Sequence, residues 1–166
     1  ETASGKYPEV AVRTMAKIAR EVENSLSSFI NTPYTSEKVV TAYLAKAAVK
    51  AALRLNTKAI VADSLTGDTI LALAAYRGDN PIFAQVYDKR VMRQLSLSFG
   101  VSADYIPMNA GSMESLKLSI CRLLEEKKLA DDSLIIVLAG SFGPAHGASF
   151  IEIASAGTFK LKCVTM

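Results

Sequence analysis

Between the apolar run Ala59 to Ala62 and an amphipathic segment from Ile70 to Tyr76 stands Asp63-Ser64-Leu65-Thr66-Gly67-Asp68-Thr69. Hydroxyls and a glycine between a strand pattern and a helix pattern describe a tight turn at a helix start. A helix N-terminus leaves backbone N–H groups without intrahelical acceptors and carries positive dipole, so such a turn is a ready cradle for phosphate. Ser64, Thr66, Gly67 and Thr69 are the candidate donors, with Asp68 among them. The spacing is not a Walker A loop, since no Gly-Lys follows, nor the three-glycine dinucleotide fingerprint. The plainer reading is that Ser64 or Thr66 caps the helix.

A second candidate is the glycine-rich run Gly140-Ser141-Phe142-Gly143-Pro144-Ala145-His146-Gly147, after a strand ending near Ala139. His146 is the only histidine, which removes multi-histidine metal sites and leaves one candidate general base. It reads as an exposed loop residue or as a phosphate contact. Ser141 with His146 lacks the Gly-x-Ser-x-Gly elbow of a hydrolase. Asp63 would either touch a ligand beyond the strand end or cap the next helix. Asp131-Asp132 reads as a solvated charge cluster. No catalytic set and no metal-ligand set emerges, and the residues alone point to an α/β domain with an anion pocket formed by the 63–69 turn and the 140–147 loop.

The elements that must position these residues follow from periodicity. A 166-residue chain that is 50% hydrophobic can bury a sizeable core without staples. Its net charge of +3, from 19 basic and 16 acidic residues, is interspersed, which argues against nucleic acid or an anionic membrane as partner. No apolar run reaches the roughly 18 residues of a membrane span, and no basic-then-apolar leader opens the chain. Cys121 and Cys163 read as isolated thiols of a reducing, cytoplasmic setting. Glu1 begins mid-motif without a methionine, as expected of part of something longer.

Residues 8–29 read as a helix, with Pro8 in its first turn and Ala11, Met15, Ile18, Val22 and Leu26 on one face. Asn31-Thr32-Pro33 breaks it. Ser36 starts a second helix to Leu55 with a stripe of Val40, Leu44, Ala47, Ala48 and Ala51. Strands at 59–63, 81–86, 104–107 and 133–138 then alternate with helices at 68–77, 88–98 and 112–128. That alternation predicts a three-layer αβα fold around a mostly parallel sheet. Phe150–Ala154 and Phe159–Val164, around Ser155-Ala156-Gly157-Thr158, predict an antiparallel C-terminal strand or hairpin.

Glu1-Thr2-Ala3-Ser4-Gly5-Lys6-Tyr7-Pro8, running into Ile18-Ala19-Arg20-Glu21, resembles the Glu-Thr-Ala-x-Gly-x-Tyr-Pro segment that ends the catalytic barrel of pyruvate kinases. Ser64 to Thr69 resembles that family's Thr-x-Ser-Gly-x-Ser/Thr turn. Ala75-Tyr76-Arg77 with Pro81-Ile82 resembles its Arg-Tyr-Arg-Pro then Pro-Ile, and Arg93-Gln94-Leu95-Ser96-Leu97 with Gly100-Val101 its Arg-x-Leu-x-Leu then Gly-Val. The resemblance implies residues 1–30 as a remnant of a TIM barrel, its last loop and helix, and 31–166 as the family's C-terminal α/β domain. It implies a cytoplasmic, glycolytic homotetramer that transfers phosphate from phosphoenolpyruvate to ADP, with Mg²⁺ and K⁺. The catalytic and metal-holding residues of the family lie upstream, so none is expected in this chain and the chain alone should be inactive. By the same resemblance Ser64, Thr66, Gly67 and Thr69 would hold the phosphate of a sugar-phosphate effector, with Gly140, Gly143, His146 and Gly147 in the loop closing over it. The expected partners are the barrel of the same polypeptide and further copies of the chain. Asp68, Gly78 in place of proline, and Ala148-Ser149-Phe150 depart from the family pattern, and the segment from Thr158 runs past its usual end.

Overall fold

The computed structural model describes residues 2, 4–25, 38–107, 112–140 and 146–160. Helix α1 (Pro8–Ser25) opens the chain. Then follow α2 (Val39–Leu55), β1 (Ala59–Ser64), α3 (Asp68–Ala75), β2 (Ile82–Val86), α4 (Lys89–Leu95), β3 (Val101–Tyr105), α5 (Ser112–Glu125), β4 (Leu134–Ala139), β5 (Phe150–Ser155) and α6 (Ala156–Lys160). The expected break at 31–33, the Ser36 cap and the boundary between residues 30 and 31 lie outside the described residues.

The strands form one sheet in the order β3-β2-β1-β4-β5. β1 pairs in parallel with β2 and β4, β2 with β3, while β4 and β5 are antiparallel. The three-layer α/β arrangement expected from the alternating periods is therefore present. β1 is buried at all six positions and β4 at its last five, as central parallel strands covered on both faces must be. Ile60, Ala62, Ile136 and Leu138 meet α2, α3 and α4 on one face. Ala59, Val61, Ile135 and Val137 meet Leu116, Ile120 and Leu123 of α5, with Phe159 of α6, on the other.

Three expectations shift. The stripe that α2 buries is Thr41, Ala45, Ala48, Val49 and Ala52, turned by one residue from the one expected, so that Val40 is exposed. Alanine and threonine let α2 lie close to the sheet, and Thr41 has a partner there, described below. β3 begins at Val101 rather than Asp104, because Gly100 (φ +68°) ends the preceding turn and frees Val101 to pair with Ile82. Finally, β5 runs antiparallel as expected, but residues 156–160 are helical instead of turning into a second hairpin strand. Ala156 N–H donates to Ser133 O and Gly157 N–H to Asp131 O, both at 2.9 Å, and the helical turn returns Phe159 to the core beneath α5. The rest of the expected second strand lies outside the described residues.

Gly78, the departure from the family's proline, backs onto α2: a Cβ there would stand 2.8 Å from Val49 Cγ1. No helix among the described residues is long and apolar enough to cross a membrane.

Candidate functional site

The 63–69 turn is organised by its own residues. Side chains alternate along β1, so Ser64 emerges on the face of Ile60 and Ala62, toward α3, whereas Asp63 joins Ala59 and Val61 on the α5 face. The Ser64 hydroxyl, fully buried, accepts the N–H of Gly67 at 2.9 Å. Gly67 is the N-cap of α3 at φ +92°, a left-handed conformation that a side chain would strain. An added Cβ would also press on Val91 Cγ1 at 3.3 Å. Neither Ser64 nor Thr66 caps the helix, since α3 has no side-chain cap. Its first backbone bond runs from Leu71 N–H to Gly67 O at 2.9 Å, so the N–H groups of Asp68, Thr69 and Ile70 have no acceptor four residues back. Thr69 is buried and Thr66 exposed.

Asp68, in the first turn of α3, forms an ion pair with Lys38 at 3.1 Å. Its carboxyl is held below the usual carboxylate range by the hydrogen bond from Lys38, then by one from Thr66, with the Lys38 charge adding to both against a counteracting effect of burial. The carboxylate that the sequence placed against a phosphate is thus already neutralised within the fold. Lys38 and Thr41 were missed by sequence reasoning, because residues 30 apart in the chain give no pattern in their spacing.

The same turn of α2 reaches the second candidate segment. The Thr41 hydroxyl accepts Ala148 N–H at 3.1 Å, a buried bond spanning 107 residues of sequence. Gly147, at φ +75°, lies so close that a Cβ would be 2.5 Å from Thr41 Oγ1 and 3.4 Å from Lys38 Cδ. The start of α2 therefore touches both the 63–69 turn and the end of the 140–147 loop. Gly140 and Gly147 are buried and His146 is exposed. Ser141 and Gly143 lie outside the described residues.

The remaining candidates separate from this site. Asp63 is buried and accepts a hydrogen bond from Tyr87 OH at 3.0 Å on the opposite face of the sheet. Asp131 and Asp132 are exposed, as a solvated pair should be. Cys121 corrects the expectation of isolated thiols: it is disulfide-bonded. Cys163 lies outside the described residues. Among the described residues no group of three or more histidine, cysteine or acidic side chains is placed to hold a metal ion.

Residues 43–154 match the family model described as pyruvate kinase, alpha/beta domain. The chain is 30% identical over 158 residues to a pyruvate kinase of Borreliella burgdorferi, covering 92% of this chain and 33% of that protein. It is 30% identical over 160 residues to one of Bacillus licheniformis, covering 95% of this chain and 27% of that one. It thus spans about a third of the length of these relatives. A crystal structure of a Cryptosporidium parvum pyruvate kinase superposes with a TM-score of 0.77 at 22% identity, over 94% of this chain and 32% of that one. A second structure of the C. parvum enzyme, in complex with ADP, gives 0.71 over the same shares. With the family model matched over most of its length and the fold shared with solved members, this chain belongs to the pyruvate kinase family through that family's C-terminal α/β domain.

Proposed function

We propose that the chain is the regulatory and oligomerisation part of a pyruvate kinase, a cytoplasmic enzyme that moves a phosphoryl group from phosphoenolpyruvate to ADP to give pyruvate and ATP. In this reading the 63–69 turn and the 140–147 loop form a pocket for a sugar phosphate or another anionic effector. The observation that supports it is the contact of one helix start with both segments: Lys38 to Asp68 at 3.1 Å and Thr41 to Ala148 at 3.1 Å. Three N–H groups without intrahelical acceptors, a favourable helix dipole and a lysine at that point suit a phosphate group.

The chemistry of phosphoryl transfer itself needs carboxylate-held Mg²⁺ and a cation over the transferred group. In this reading Mg²⁺ and K⁺ belong to the upstream barrel of the same polypeptide. Alone the chain is expected to form no pyruvate. A free-standing phosphate-binding protein is the competing reading, and α1 weighs against it. Its Val10, Val12, Met15, Ile18 and Val22 are about half exposed or more, a surface that suits cover from a larger body.

Calorimetric titration of the chain and of its full-length parent with inorganic phosphate and a panel of sugar phosphates tests the pocket. Millimolar or tighter binding, weakened by Thr66→Ala, is expected. Heat changes absent for every compound in both proteins would reduce the turn to a structural helix start.

A further inference from the structure

We propose that Cys121 and Cys163 form a reversible redox clasp that fastens the segment after β5 onto α5, and that this pair is a site of thiol–disulfide exchange with a small disulfide. The proposal does not rest on the effector reading.

Cys121 is disulfide-bonded, and no cysteine among the described residues is free. Cys163 lies outside the described residues; the pairing follows from the count, since the chain has no third cysteine. The fold brings the two within reach. On α5, Leu116, Ile120 and Leu123 face the sheet, and Leu124 packs at the margin of the same cluster. Cys121 stands three residues before Leu124, on that flank of the helix. Phe159 of α6, 2% exposed, is buried in this cluster and so docks α6 against α5. Four residues on from Phe159, Cys163 can extend no further than about 14 Å from it. A docked Phe159 thereby confines the second thiol to the neighbourhood of the first.

Without that docking the segment has little to hold it. A helix as short as Ala156–Lys160 has no stability of its own in water. Its start is pinned by Ala156 N–H on Ser133 O and Gly157 N–H on Asp131 O, and at Gly157 the backbones lie so close that a Cβ would be 2.9 Å from Asp131 O. A bond from Cys121 fastens its far side to α5 and closes a loop that contains β4, β5 and α6.

Two observations make this a switch in place of a permanent staple. The sheet already buries a core on each face, so the fold does not depend on a covalent bond as a small core-poor domain would. Cys121 is only half-buried, which leaves its sulfur open to exchange. The device is also peculiar to this chain, because Cys163 lies beyond the stretch 43–154 that matches the family model. In the closing step the two protein thiols form one sulfur–sulfur bond while that of the oxidant, a small disulfide such as oxidised glutathione, breaks. The oxidant takes both electrons and both protons and leaves as two thiols. Excess reduced glutathione runs the step backwards.

The chain and its full-length parent, equilibrated folded in oxidised or in reduced glutathione, alkylated and digested with trypsin without reductant, test this. After oxidised glutathione, Leu118–Arg122 should be recovered linked to the peptide that begins at Cys163. After millimolar reduced glutathione, both peptides should be recovered alkylated and separate. The oxidised chain should melt at least about 5 °C above the reduced one, whereas Cys121→Ser and Cys163→Ser should each melt alike in both buffers, near the reduced chain. Either variant suffices should the other not fold, and the peptide map needs neither. The proposal is overturned if both cysteines are alkylated after oxidised glutathione, if they link two copies of the chain, if the bond survives reduced glutathione in the folded protein, or if the two forms melt together.

Discussion

The two faces of the sheet differ in how completely their buried polar groups are paired. On the α2–α3 face, Ser64 holds Gly67 N–H, Thr41 holds Ala148 N–H, and Asp68 is neutralised by Lys38. On the α5 face, Gln85 Oε1 and Ser115 Oγ are buried without partners. In the first region these side chains are already engaged, so an anion arriving there would meet the open N–H groups at the start of α3 but compete with Asp68 for Lys38. The second leaves two buried oxygens without partners, so removing one of them deletes no hydrogen bond. Substitutions should therefore cost stability on the first face and cost little or none on the second.

The largest effect is expected from Gly147→Ala. A Cβ 2.5 Å from Thr41 Oγ1, at φ +75°, combines a left-handed backbone with an overlap, and should lower stability by about 2–4 kcal/mol in urea unfolding. Next, Thr41→Val removes the acceptor from the buried Ala148 N–H at almost constant volume and should cost about 1–3 kcal/mol. Ser115→Ala removes a hydroxyl of the same kind from the other face and should be neutral or stabilising by up to about 1 kcal/mol. Equal losses for Thr41→Val and Ser115→Ala would erase the contrast between the faces.

The smallest effect is expected at the ion pair. Lys38 and Asp68 are both partly exposed, so Lys38→Met should cost no more than about 1 kcal/mol, less in high salt. Its pH dependence has a definite sign. The folded-state pKa of Asp68 is lowered, so its contribution is complete above the ordinary carboxylate range and is lost as pH falls through the lowered value. Asp68→Asn should accordingly close part of the gap between neutral and acid stability. An unchanged gap in urea midpoints at the two pH values would show the pair to be without energetic weight.

Much of the scaffold was legible because it depends on local pattern. The apolar run at β1, the hydroxyl-rich turn and the helix after it lie within 17 consecutive residues, Ala59–Ala75, and their period changes are visible in one reading frame. The hairpin expected after β5 failed for a non-local reason: Phe159 has high strand propensity, yet the open space beneath α5 claims it, and tertiary packing overrides propensity. The α2 stripe was displaced by one residue because five small or β-branched candidates lie on neighbouring faces, and only the sheet decides which face turns inward. Within the candidate site, the turn could be read from sequence, but Lys38 and Thr41 could not, since their importance arises from contacts with residues 30 and 107 positions away. Gln85 and Ser115 gave no signal at all, because a lack of partners is a property of the folded surroundings.

Helix α1 has a thermodynamic consequence of its own. It is 18 residues long, and none of its described residues stands in either core cluster. A helix of that length with so little core packing is marginal in water, because one costly nucleus must be offset by few propagation steps. Heating should therefore melt the chain in two stages: a broad, early loss of helical ellipticity from Pro8–Ser25, followed by the sharp transition of the sheet domain. Calorimetry would register only the second as a cooperative peak. A helix that borrows its order from whatever covers it would then report, through its ellipticity alone, when that cover is in place.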